Sequence, residues 1–138
     1  MSRPADDLPA IRIAAALVTG ADGKVLLVRK RGTRMFMQPG GKIEAGETPE
    51  VALVRELEEE LGLVVELDQL IPLGRFEAVA ANEPDAHVVA DCFLLETSAS
   101  VAAAREIEEM IWIDPFVPPE IPIAPLSAEH MLPLSRAR

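Results

Sequence analysis

Glu56, Glu59 and Glu60 stand at i, i+3 and i+4. On a helix this spacing puts three carboxylates on one face while Val54, Leu57 and Leu61 turn toward the core. Three hard oxygen donors held together repel one another and raise each other's pKa unless a hard cation compensates them, so the chemistry they offer is that of a divalent-cation site. The surrounding charge is concentrated in the same place, since residues 44–60 carry seven glutamates against a single base, Arg55. A solvated helix face is the ordinary destination of such a run. Like charges at this spacing, however, cost an isolated helix roughly 0.2–0.5 kcal/mol per pair and bring no structural benefit, which metal binding would offset. Just upstream, Pro39-Gly40-Gly41 offers a backbone carbonyl to the same place. An exposed i,i+4 pair of Arg55 with Glu59 would be worth little and leaves the pattern around it unexplained.

The elements that must position these groups are legible on either side. Residues 11–19 and 24–29 are β-branched and apolar, with Ala-Asp-Gly-Lys between them, and predict a hairpin. Residues 31–47 contain Gly32, Pro39, Gly40, Gly41 and Gly46, a loop bent on purpose. Thr48 is a good N-cap, Pro49 suits the first helical position and Gly62 ends the helix. Strands are expected over 64–67, 73–79, 87–96 and 110–113, with a polar loop at 81–86 and a short helix at 101–106. Six of the twelve prolines fall between Pro115 and Pro133, predicting an irregular C-terminal segment with a helical turn or two at 127–132.

The whole chain, 138 residues and 14.9 kDa, fits one domain, 1–138, with an N-terminal arm over 1–9 and a proline-rich segment over 114–138. With 49% hydrophobic and 26% charged residues it can bury a core and still solvate its surface. Its longest apolar run, residues 13–18, is far short of the roughly 20 residues of a membrane span. Asp6 and Asp7 precede any apolar stretch, the reverse of a secretory leader, and the single Cys92 excludes an intrachain disulfide; a cytoplasmic protein is expected. A net charge of −10 argues against binding duplex nucleic acid through its phosphates.

Residues 41–63 resemble the signature of the Nudix hydrolases: Gly, five residues, Glu, seven residues, then Arg-Glu-aliphatic-x-Glu-Glu-x-Gly-aliphatic. Every fixed position is present, as Gly41, Glu47, Arg55, Glu56, Leu57, Glu59, Glu60, Gly62 and Leu63. The flanking strands are similar to that family's over about 10–115. The resemblance implies an α/β fold, an α/β/α sandwich with a mixed β-sheet. It implies hydrolysis of a nucleoside diphosphate linked to another group, with Mg2+ (or Mn2+ in its place) as cofactor. By the same resemblance Glu56, Glu59, Glu60 and the Gly41 carbonyl are the metal ligands, and Glu47 is a supporting glutamate, either near the metal or paired with Arg55. Glu56 is the first choice for general base, with Glu83 and Glu109 in reserve.

Arg31 and Arg34, together with Arg29 and Lys30, lie shortly before the glycine loop where a polyphosphate would be met. Phe36 matches the aromatic that precedes Pro-Gly-Gly in relatives acting on oxidised guanine nucleotides. Gln38 departs from their apolar residue at that position, yet its amide can read a base edge. Arg75 is expected in a surface ion pair, His87 and His130 in structural roles, and Cys92 as a core thiol. The substrate class expected is a modified or oxidised nucleoside triphosphate. ADP-ribose, nucleotide sugars and dinucleoside polyphosphates stand as alternatives, and a non-catalytic nucleotide-sensing module is the alternative of another class. The sequence leaves homodimerisation open.

Overall fold

The computed structural model describes residues 10–80 and 86–137. Strand β1 (Ala10–Thr19) turns through the predicted Ala-Asp-Gly-Lys into β2 (Val25–Lys30), and the two pair antiparallel only beside the turn, Thr19 facing Val25. Beyond it they diverge, and the freed edge of β1 accepts the three-residue β3 (Gly40–Lys42), with Ala14 opposite Gly41. Helix α1 (Pro49–Leu61) follows, then β4 (Ile71–Val79), β5 (His87–Glu96) and β6 (Ile107–Ile113). The sheet order is β4-β5-β1-β2-β6, with β3 on β1. β1 and β5 run parallel in unbroken register from Ala10 opposite His87 to Thr19 opposite Glu96, and the other pairs are antiparallel. This is the mixed sheet expected.

β1 is central and covered on both sides, which is why its apolar residues run on without alternating. Its even positions, Ala14, Ala16 and Val18, pack with Ala52, Leu53, Leu57 and Leu61 of α1. Its odd positions, Ala15 and Leu17, pack with Leu126, Met131 and Leu132 of the C-terminal segment. That segment forms a π-helical turn, Ser127–Met131, running into α2 (Leu132–Arg136), so the expected helical turns lie where the sequence placed them. Helix, sheet and helix make the α/β/α sandwich.

Two expectations are corrected. Residues 64–67 form no strand. Leu63 and Val65 are buried while Val64 is exposed, so the alternation is real, but among the described residues no sheet edge pairs with the segment and it closes in a one-turn 3-10 helix, Leu67–Gln69. Residues 101–106 form no helix either. The N–H groups of Ala102 and Ala104 donate to the carbonyls of Leu61 and Glu60 at 3.2 and 2.9 Å. They satisfy the otherwise unpartnered end of α1 instead of bonding within their own segment.

Candidate active site

The helix carrying the glutamates is fixed at both ends by its own sequence. Thr48 accepts a hydrogen bond from the Val51 N–H at 3.2 Å, and Gly62 takes the left-handed conformation, φ 65°, with its N–H on the Glu58 carbonyl. Between these caps Leu53, Leu57 and Leu61 point into the core, which turns Glu56, Glu59 and Glu60 toward β3 and the glycine loop.

The loop meets them closely. Gly40 has φ 147°, and a Cβ there would lie 2.1 Å from the Ala14 carbonyl oxygen, so only glycine lets β3 approach β1. At Gly41 the constraint comes from the helix, because an added Cβ would lie 2.5 Å from the Glu56 carboxyl carbon. The Glu56 carboxylate therefore rests directly on the Gly41 backbone. Glu60 is buried, with Oε1 accepting from the Gly40 N–H at 3.2 Å. Burial pushes its pKa up to about 8, with the neighbouring Glu56 adding to the rise and the Gly40 hydrogen bond and the Lys30 charge opposing it. The carbonyl of Pro39 is already committed, accepting from the Ala16 N–H at 2.9 Å.

Arg55 binds this arrangement together. Its Nε and Nη2 donate to the two oxygens of Glu47, each at 2.8 Å, Nη1 donates to Glu56 Oε1 at 2.8 Å, and Nη2 also reaches the Lys42 carbonyl at 3.1 Å. The flat guanidinium fork is the side chain suited to that double engagement. Hydrogen bonds from Arg55 and from the Glu44 N–H hold the Glu47 carboxyl down at about 2, and Arg55 is pushed still further into its charged range. Of the two places foreseen for Glu47, the geometry has the one beside Arg55.

Glu56 and Glu60 thus stand against the glycine loop, while Glu59 is half-exposed and lies 3.5 Å from Arg55 Nη1. Among the described residues no three His, Cys, Asp or Glu side chains converge as tightly as a finished metal cage. The donor set nevertheless fits a hard divalent cation. It comprises a buried carboxylate with a raised pKa, a second packed on a glycine that leaves its backbone bare, and a third on the same helix face.

Next to this loop lies a cavity of about 160 Å³, walled by apolar side chains such as Ile13, Val88 and Leu126, with Lys30, Gln38, Lys42 and Ser127 as its polar side chains. The basic residues that line the cavity are not those expected from sequence to meet a substrate. Arg31 is tied to Glu108 at 2.8 Å and Arg34 is exposed, and neither lines the cavity. Lys30 and Lys42 do. Lys30 sits just past the register shift that ends β2, and Lys42 is opposite Ile13, so the pairing that carries Ile13 to the cavity carries Lys42 as well. The adjacency of Lys42 to the glycine pair was the available signal.

Phe36, expected from sequence to meet the substrate, is 7% exposed and packs with Leu126 and Met131 in the core; it does not line the cavity. Its N–H donates to the Pro122 carbonyl and its own carbonyl accepts from the Ala124 N–H, both at 2.8 Å, so the C-terminal segment covers it. Gln38 does line the cavity. Of the reserve bases, Glu109 accepts from Arg29 Nε at 2.9 Å across the β2–β6 pair, and Glu83 lies outside the described residues. Arg75 is paired with Asp91, and buried Cys92 is raised to about 12 by burial and by Asp91.

The NUDIX domain profile matches residues 9–119. Over 112 residues the chain is 33% identical to an 8-oxo-dGTP diphosphatase of Haemophilus influenzae, covering 78% of this chain and 79% of that protein. Over 97 residues it is 37% identical to an ADP-ribose pyrophosphatase of Methanocaldococcus jannaschii, covering 67% of this chain but only 56% of that protein. The crystal structure of a MutT NUDIX hydrolase from Burkholderia pseudomallei matches with a TM-score of 0.72 at 24% identity, over 91% of this chain and 95% of that one.

Proposed function

This chain belongs to the Nudix family, and from that premise we propose that it hydrolyses the pyrophosphate bond of a nucleoside diphosphate linked to a further group, with Mg2+ as its cation and Mn2+ as a substitute. The observation that carries the reading is the arrangement of Glu56 and Glu60 against Gly41 and Gly40, fastened to the loop by Arg55. In this reading the Gly41 carbonyl and the carboxylates of Glu56, Glu59 and Glu60 hold the cation, Glu59 by leaving Arg55. When bound, it neutralises phosphate oxygens and lowers the pKa of the attacking water. Glu56 takes the proton of that water. Arg55 occupies one of its two oxygens, which fixes the orientation of the other. Glu47 keeps Arg55 in place and stays ionised while doing so. Lys30 and Lys42 present ammonium groups to the phosphates from the cavity wall.

The substrate favoured is a modified or oxidised nucleoside triphosphate, by the likeness to the Haemophilus protein along most of both chains. The likeness to the archaeal protein keeps ADP-ribose as the second reading. A sensing module without catalysis is disfavoured because every carboxylate of the motif is present. The place of work is read as the cytoplasm from the sparing use of cysteine, with Cys92 alone. The test is product analysis with Mg2+ over oxidised and normal nucleoside triphosphates, ADP-ribose, nucleotide sugars and dinucleoside polyphosphates, beside a Glu59→Gln/Glu60→Gln control. Cleavage of one class by the wild type alone supports the reading and names the class. Equal cleavage by the control overturns the metal assignment.

A further inference from the structure

Two strands, β4 and β6, lie at the margins of the sheet, and among the described residues each has a neighbouring strand on one side only. A strand in that position offers N–H and C=O groups to any further strand, and charge of one sign is a common way of blunting it. β6 is blunted so, because it carries Glu108 and Glu109 and no base, and two copies of it repel. β4, Ile-Pro-Leu-Gly-Arg-Phe-Glu-Ala-Val, is built differently. Pro72 and the register shift that follows it interrupt its first part, and residues 74–79 run on regularly. There Arg75 and Glu77 stand on one face, with Gly74, Phe76 and Ala78 on the other. Arg75 gives Nε and Nη2 to Asp91 at 3.1 and 3.4 Å, yet its side chain is 57% exposed. The Glu77 side chain is 69% exposed, with His87 Nε2 at 3.7 Å. Phe76 is half-buried and stacks on His130, ring centroids 5.0 Å apart, while His130 Nε2 lies 3.2 Å from the Glu77 carbonyl oxygen.

This pattern is complementary to itself. When two antiparallel copies of one strand meet about a twofold axis, the central residue lies opposite its own counterpart and the others pair symmetrically around it. Centred on Arg75 or on Glu77, β4 would set like charges directly opposite each other, and centred on Ala78 it would set Glu77 against Val79. Centred on Phe76, it sets Arg75 of each copy opposite Glu77 of the other and Phe76 opposite Phe76. Gly74 then faces Ala78, so that small residues flank the two rings. We propose that β4 is a homodimerisation edge, to which a second copy of this chain adds its own β4, antiparallel and in the register centred on Phe76. The two sheets then continue into one another across the twofold axis. The same strand ends at Val79, which lines the cavity, so the pairing also steadies one wall of the cavity in each copy.

Sedimentation velocity of the full chain from about 1 µM to about 1 mM reads the association without reference to turnover. The wild type is expected to pass from monomer to dimer within that range. Glu77→Arg sets arginine opposite arginine at both ends of the pair and is expected to raise the dimer Kd about tenfold or more, as is Arg75→Glu, which sets glutamate opposite glutamate. Mixing the two variants restores opposite charges at every such position, so a mixed dimer about as tight as that of the wild type is expected. A wild type that stays monomeric at the top of the range overturns the proposal. So does a dimer whose Kd is unchanged in Glu77→Arg, or a pair of folded variants that do not associate on mixing. Arg75 also braces Asp91, so both variants are checked by thermal melt. Should either not fold, hydrogen exchange of the wild type decides: amides of residues 74–79 that exchange more slowly at high concentration support the pairing, and no slowing there overturns it.

Discussion

Arg55 contacts Glu47, Glu56 and the Lys42 carbonyl at once, using the planar fork that a lysine ammonium lacks. Arg55→Lys keeps the charge but not the fork. We expect it to lower kcat by about two orders of magnitude, through lost orientation of Glu56, with a much smaller effect on melting temperature. A steady-state assay beside a thermal melt checks this, and an unchanged kcat would count against the orienting role. Gly41→Ala carries the complementary test, because its Cβ would collide with the Glu56 carboxyl. It is expected to abolish most activity while costing about 1–3 kcal/mol of stability by denaturant titration.

Glu60 gives a pH dependence with a definite sign. Its native pKa of about 8 lies above the ordinary 4.5, so between those values the native state holds a proton that the unfolded chain has released. The stability of the metal-free protein, kept in a chelator, should therefore contain a component that falls as pH rises from about 4.5 to about 8, and Glu60→Gln should remove it. Cation affinity should rise across the same window, since binding displaces that proton. Glu47 acts oppositely: its pKa of about 2 makes its contribution complete above 4.5 and lost as pH falls toward 2. Melting curves over pH on wild type, Glu60→Gln and Glu47→Gln separate the two.

At the scale of elements, α1 was legible because its signals are local. Thr48, Pro49 and Gly62 mark its ends, and Leu57 and Leu61 mark its inner face, so the position of the three glutamates followed from the consecutive residues between those two caps. Thr48→Ala should cost about 1 kcal/mol in a denaturant titration, and no change would mean that tertiary packing alone holds the start of the helix. The segments misread from sequence depend on distant partners. Residues 101–106 give N–H groups to the end of α1, and residues 64–67 extend without a strand to pair with. Neither partner is visible in the segment itself. The burial of Phe36 likewise depends on a distant partner, a stretch some ninety residues later. Lys42 faces the cavity because β3 pairs with β1 in one register and not the next, a fact of pairing and not of composition.

For the molecule as a whole, the second helical layer lies beyond the matched domain profile, which ends at residue 119. Residues 121–134 nevertheless close one face of the sheet, with Met131 fully buried, and supply Ala124, Leu126 and Ser127 to the cavity. Met131→Ala should therefore cost about 2–5 kcal/mol, as a core residue would, although its proline-rich surroundings read as a tail. A change under about 0.5 kcal/mol would show that this layer is dispensable. The helical turns were legible there, but nothing local showed that they line the cavity.

In the proposed reaction the motif glutamates, a divalent cation and water together cleave a phosphoric anhydride. The measurement that tests it most directly is phosphorus NMR of the reaction run in 18O-labelled water with Mg2+, on a compound from the panel above, beside Glu56→Gln and a chelator control. Label is expected in only one of the two phosphorus-containing products, with turnover lost in the variant and in the chelator. Turnover that persists in chelator, or products carrying no label, would contradict it.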